Sequence, residues 1–327
     1  MNVKQSLISL FENNRGRFLS GEELAERLGC SRAAVWKAVA ALRNEGYSID
    51  AVTGKGYCLT TAADVLSAAG IEKYLPAGRC GFTLDVRRRV EGSTNNILKD
   101  MAAQGAPAGT VLVCGEQTGG KGRLGRSFFS PSDTGLYMSI LLRPDMPAAD
   151  AVRITTAAAA AVAMAIEDCT ESSPRIKWVN DVYVNGLKVC GILTEASFSL
   201  ENGGLDYAVT GIGINAYEPA GGFPDELRGR AGAVCESRRE DMRNRLAASV
   251  LRYFAKCCGD LFSKDMLAYY RSKLMWQGES IRVISGSSEY PCTLLGVSDS
   301  YALRVRLEDG SEREVSSGEI TVRRNDR

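Results

Sequence analysis

Between Gly119 and Arg126 the chain reads Gly-Gly-Lys-Gly-Arg-Leu-Gly-Arg, four glycines and three cations in eight residues with no acid among them. Glycine gives up the most backbone freedom on ordering, so this stretch suits neither a helix nor a strand interior. It reads as a loop that grips an anion. Glycine lets the backbone approach a ligand, and Lys121, Arg123 and Arg126 supply a point charge and two planar forks suited to phosphate or carboxylate. A second cluster, Lys177-Trp-Val-Asn-Asp181, puts a lysine, an amide and a carboxylate at the end of a β-prone run. That set can pair with an anion, read a base or ribose, and help hold Mg²⁺. Taken singly, each cluster also has an ordinary reading, as a solvated basic turn or a structural ion pair.

Several chemistries are excluded. The chain has no histidine, which removes Ser-His and Cys-His nucleophiles and the commonest transition-metal ligand. Ten cysteines are scattered without a C-x-x-C pair and read as reduced packing residues. Gly120 to Gly125 matches G-x-G-x-x-G formally, but no helical period follows at Arg126-Ser-Phe-Phe-Ser-Pro131, as a dinucleotide fingerprint requires. Neither the P-loop pattern nor the kinase H-R-D and D-F-G motifs occur.

The elements that must position these clusters fall into three groups. Residues 1–62 are expected to form a winged helix-turn-helix. Ser20 and Ser31 cap two short helices separated by Gly29, and two β-prone runs flank a glycine turn carrying Lys55. Ser31, Arg32, Trp36 and Lys37 on the second helix, with Lys55 on the wing, are the candidate DNA contacts. The patch is modest, with four basic and two acidic residues between 31 and 57.

Residues 63–274 alternate strand-like and helical runs, as in a mixed α/β domain. Ser93 is expected to cap a helix reaching about Gln104. An alanine-rich helix is expected over Ala148 to Cys169, strands over Ile176 to Val179 and Tyr207 to Ile214, and a hairpin turn at Asn185-Gly186. A loop is expected over 216–235 and a helix from Arg243 to Leu274. Residues 275–327 alternate polar and apolar residues in short runs, which predicts a small SH3-like β-barrel. The fold class is therefore α/β (α+β) multidomain.

Hydrophobic residues make up 45% and charged residues 24% of the chain, the balance of an ordinary globular protein. A net charge of +1 favours neither nucleic acid nor membrane overall, so such binding must be local. The longest apolar run, Thr155 to Ile166, is too short to span a bilayer, and a cytoplasmic location without membrane contact is expected.

Five motifs in order, Ser93-Thr-Asn95, Gln117 to Arg126, Lys177 to Asp181, Cys190 to Glu195 and Gly211-Ile-Gly-Ile-Asn215, resemble those of the biotin protein ligases. With the N-terminal winged helix, the chain resembles the bifunctional class that also represses biotin genes. The resemblance implies that Ser93, Thr94, Asn95 and Gln117 hold the biotin ring. Gly120, Lys121, Gly122 and Arg123 would wrap biotin and the acyl-phosphate, and Lys177 and Arg123 would be catalytic, with Lys177 also touching biotin. Arg123, Arg126, Asn180 and Asn215 would bind the nucleotide. ATP and Mg²⁺ are implied, with metal ligands unassigned. A biotin carboxyl carrier protein and operator DNA are the implied partners, and a homodimer is implied once the adenylate is bound. Three positions depart from the family pattern: Lys121 stands for arginine, Val179 for proline, and Ser127-Phe128 for Lys-Trp. Two rival readings are a non-enzymatic winged-helix repressor sensing a nucleotide or small acid, and a lipoate ligase, which should lack the winged helix.

Overall fold

The computed structural model describes residues 2–61, 64–76, 79–198, 204–285, 288–316 and 320–324. Helices α1 (Val3–Glu12), α2 (Gly21–Leu28) and α3 (Arg32–Asn44) are followed by strands β1 (Ile49–Val52) and β2 (Gly56–Leu59). Ser20 and Ser31 cap α2 and α3, accepting from the backbone N–H of Glu23 and Ala34 at 3.0 and 3.2 Å. Leu7, Phe11, Leu24, Val35, Val39, Leu42 and Leu59 make a core separate from that of the rest of the chain. The wing is tied back to the turn before α2. Leu19 and Tyr57 exchange backbone hydrogen bonds at 2.9 Å, and a Cβ on Gly56 would overlap the Leu19 carbonyl.

The central unit runs through α4 (Ala68–Glu72), β3 (Thr83–Arg87), α5 (Thr94–Ala103), β4 (Thr110–Cys114), β5 (Gly135–Leu142) and α6 (Val152–Cys169). It continues with β6 (Arg175–Lys177), β7 (Asp181–Val184), β8 (Leu187–Phe198), β9 (Leu205–Asn215), α7 (Met242–Gly259) and α8 (Lys264–Lys273). The seven strands lie in the order β3-β4-β5-β9-β8-β7-β6, antiparallel except for β3 with β4. Alternate residues of β5 and β9 face opposite ways. Met138, Ile140, Ala208 and Ile212 join the core with α6 and α7, whereas Leu141 and Val209 pack with Leu98 and Ala102 of α5 on the other face.

The expected alanine helix is longer than its apolar run. Ala148–Cys169 is long and apolar enough to cross a membrane by length and composition, but Ala157 to Ala163 are fully buried inside the protein. Small side chains let α7 pack closely along it. Two expectations shift. The helix from Arg243 to Leu274 is two helices, because the chain breaks after Gly259 and restarts where Ser263 caps α8. The strand at Ile176 to Val179 ends at Lys177, and the following Trp178–Val179 peptide is cis.

The C-terminal strands β10 (Ser280–Ser285), β11 (Ser288–Val297), β12 (Leu303–Arg306), β13 (Glu312–Val315) and β14 (Ile320–Arg324) form one antiparallel sheet ordered β13-β12-β11-β10-β14. The expected limit at 274/275 falls in a linker bound to the central sheet, and that at 62/63 lies outside the described residues. Trp178 Nε1 donates to the Tyr301 carbonyl at 2.9 Å, joining the two units directly. Glu12 and Arg15 of the winged helix meet Lys73 and Asp241 of the central unit. Arg15 bridges Glu12 and Asp241 at 2.8 and 2.7 Å, and Lys73 reaches both acids at 2.9 and 2.5 Å. Both carboxylates are fully buried.

Candidate functional site

Of the expected biotin residues, Ser93, Thr94, Asn95, Gln117 and Lys121 converge on the α5 face of the sheet, while Lys177 lies with Asp181 and Trp276. Ser93 caps α5, accepting from Asn96 N–H at 3.2 Å, which brings the first helical turn to the pocket. The Thr94 N–H and hydroxyl donate to Gln117 Oε1 at 2.8 and 3.1 Å, and Gln117 Nε2 donates to Ser130 at 3.0 Å. Asn95 donates to Glu195 at 2.8 Å and to the Leu193 carbonyl at 3.2 Å, and accepts from Ser139 at 2.6 Å. Lys99 lies 2.6 Å from the other Glu195 oxygen. Burial alone would raise the Glu195 pKa, but the hydrogen bonds from Lys99 and Asn95 outweigh it and hold the carboxyl below its ordinary range.

The floor of this pocket is glycine. Gly191 on β8 pairs with Gly213 on β9, and Gly211 lies two residues back on the same face. Phe128 lies over Gly191 and Gly213, where a Cβ would come within 3.1 and 2.6 Å of its ring, whereas one on Gly211 would meet the Asn95 amide. The Phe128 ring meets Tyr137 edge-on at 6.3 Å. The ring takes up the space over this floor and leaves a cavity of only about 20 Å³, lined by Thr94, Asn95 and Gln117 among others, so a larger group enters only if Phe128 moves aside.

The basic loop links the pocket to the second cluster. Lys121 donates to Asn96 at 2.8 Å, and Arg123 to Asn180 Oδ1 at 3.1 Å. Asn180 in turn donates to the Ile192 carbonyl at 2.8 Å. Lys177, at the end of β6, has its pKa lowered chiefly by burial. Asp181 opposes that shift, while Lys188, Arg323 and Arg126 add to it. Burial also lowers the Arg123 pKa, against the charge of Asp181, although a guanidinium stays protonated regardless. Lys188 lies 2.7 Å from Asp181 without meeting hydrogen-bond angles. Arg126 is exposed.

Asn215 takes a different position from the other candidates. Its side chain donates to the Gly232 carbonyl at 3.0 Å and so ties down the loop over 216–235, which also bridges Lys188 through Ala231. Among the described residues no group of three or more Asp, Glu, Cys or His could hold a metal. The donor set among the described residues therefore does not fit a preformed Mg²⁺ cage. In the winged helix, Ser31, Arg32, Trp36, Lys37 and Lys55 are all exposed, and Trp36 is 62% exposed. Arg43 is instead spent on the Ile49 carbonyl.

Sequence reading missed Ser139, Glu195 as a support for Asn95, and Phe128 as the cover of the glycine floor. The period-two glycines at 211 and 213 were the available signal.

Comparison with known proteins agrees with this geometry. The Biotin/lipoate A/B protein ligase family matches residues 87–215, and an HTH domain matches residues 3–58. Bifunctional ligase/repressor BirA of Bacillus subtilis is 33% identical over 322 residues, covering 96% of this chain and 97% of its own length. Its counterpart in Escherichia coli is 31% identical over 328 residues, covering 98% and 97%. A solved structure, biotin protein ligase from Aquifex aeolicus in complex with biotin and ATP, superposes with a TM-score of 0.60 at 28% identity, over 74% of this chain and 99% of that one. Full-length likeness, a DNA-binding domain and a ligase domain together decide the assignment, and the chain belongs to the family of bifunctional biotin ligase/repressors.

Proposed function

We propose that the chain joins biotin to ATP as biotinyl-5'-AMP, transfers biotin to a lysine of a biotin carboxyl carrier protein, and represses transcription in response to biotin. The observation that carries the catalytic reading is the Arg123–Asn180 bond at 3.1 Å, because it joins the basic loop to the Lys177 cluster beside the amide-rimmed pocket. Thr94, Asn95 and Gln117 would take the ureido edge of biotin, and its rings would lie on the glycine floor in the place that the Phe128 side chain now fills. The carboxylate then points toward the loop.

In the first step a biotin carboxylate oxygen forms a bond to the α-phosphorus, and diphosphate leaves with its electron pair. Both reactants are anions, so the chain's task is alignment and charge compensation. Arg123 and Lys177 would flank the developing charge, Arg126 and Asn215 would hold the nucleotide, and Mg²⁺ would help neutralise the phosphates. In the second step the carrier amine attacks the acyl carbon, AMP leaves, and the amine loses a proton. Lys121 and the glycine-rich loop shield the adenylate from water meanwhile.

Residues 1–62, 63–274 and 275–327 would serve as DNA-binding, catalytic and small β-barrel domains. Ser31, Arg32, Trp36, Lys37 and Lys55 would face the operator, and an adenylate-filled homodimer would present two wings to a two-fold site. This function belongs in the cytoplasm, where ATP and operator DNA occur. Incubation with biotin, ATP and a carrier domain should give an avidin-reactive product, and its absence would favour the sensor-repressor instead. Replacing Arg123 by Ala should release biotinyl-AMP into solution. Retention as tight as in the unaltered protein would remove Arg123 from this role.

A further inference from the structure

Lys177 lies where the central and C-terminal units meet. The linker after α8 runs beside β6, with Arg175 donating to the Leu274 carbonyl at 2.7 Å and Met275 N–H to the Ile176 carbonyl at 2.9 Å. This pairing carries the next residue, Trp276, to Lys177, whose ammonium lies 5.4 Å from the centre of the indole ring. Trp276 has φ 63°, a left-handed conformation that a side chain adopts only when its surroundings impose it. The charged groups facing Lys177 are Asp181 of β7, Lys188 of β8, Arg126 of the basic loop and Arg323 of β14. Three cations thus oppose one carboxylate, and Lys188 shares that carboxylate. The negative face of an indole supplies attraction without a further anion that would repel a phosphate.

We propose that Trp276 is a positioning residue for the ligase reaction, holding the Lys177 ammonium charged and in place against its ring. This rests on the proposed role of Lys177 in adenylate formation. It gives the C-terminal unit a direct part in the chemistry, because the linker that starts that unit carries the indole.

The test is biotin-dependent exchange of labelled diphosphate into ATP by the full chain, from about pH 6 to about pH 10. Wild type would be compared with Trp276→Leu, Trp276→Phe and Lys177→Gln. Trp276→Leu should lower kcat by roughly three- to thirty-fold with KM for biotin little changed, the range expected from one cation–π contact. Its alkaline limb should move acidward by up to about one pH unit, because loss of the ring leaves burial and the three cations less opposed. Trp276→Phe should recover most of both. A fluorinated indole at 276 keeps the shape while weakening the ring face, and should move the limb the same way even where the leucine variant does not fold. Unchanged kcat and limb in Trp276→Leu, or a loss that Phe does not restore and fluorination does not reproduce, would overturn the role of the indole. Full exchange by Lys177→Gln would instead remove the parent reading and this one with it, whereas an inactive Lys177→Gln beside an unaffected Trp276→Leu would remove only this one.

Discussion

Asn95 shows how one amide is fixed by groups drawn from several strands. It is held by Ser139, by the Leu193 carbonyl and by Glu195, which Lys99 balances. The charge on Glu195 makes its bond to the amide stronger than a neutral one. Replacing Glu195 by Gln should raise KM for biotin on the order of ten-fold, the worth of a hydrogen bond to a charged group. An unchanged KM would show that Asn95 is held without it. The same substitution has a pH signature in stability. Glu195 has a folded pKa below its unfolded value, so its contribution is complete above the unfolded pKa of 4.5 and is lost as pH falls through the lower folded value. The stability gap between wild type and variant should therefore close in acid. The identity of Asn95 was readable in the sequence, but its partners were not, because Ser139 and Glu195 come from strands 44 and 100 residues away.

At the scale of elements, local chemistry was legible wherever a cap or turn defines the boundary. Ser20, Ser31 and Ser93 start their helices as expected, and Asn185-Gly186, both at positive φ, close a tight hairpin. The end of β6 was not legible, since Trp178 and Val179 are as β-prone as the residues before them. The wing illustrates a contact that fixes an element. Gly56 has φ 100° and lies against the Leu19 backbone, so Gly56→Ala meets both a backbone penalty and a clash. The expected cost is at least about 2 kcal/mol, from strain and overpacking combined. DNA affinity should fall, while diphosphate exchange by the central unit is retained. A fully stable variant in chemical denaturation would show that the wing shifts freely.

Across the whole molecule, Glu12, Arg15, Lys73 and Asp241 join the winged helix to the central unit at the start of α7. The same region holds Asp64, which accepts from Tyr217 at 2.6 Å and from the Arg243 backbone at 3.0 Å, so the network neighbours the first residues after Asn215. Removing one partner of a buried ionic group leaves uncompensated charge and costs about 3–5 kcal/mol. Glu12→Gln should lower stability by that order and split a single calorimetric transition in two, with the winged helix melting first. A single transition at the original temperature would mean that the network does not couple the units.

The order of motifs and the capping residues determined the family, the winged helix and the set of polar groups proposed to surround biotin, because those depend on residue type and near-neighbour spacing. Only the tertiary structure decided that Phe128 covers Gly191 and Gly213, that Arg123 meets Asn180, and that Trp276 faces Lys177. Each of these contacts joins segments far apart in the chain. Register across the sheet and the path of the linker along β6 set them, and neither is encoded in a local pattern.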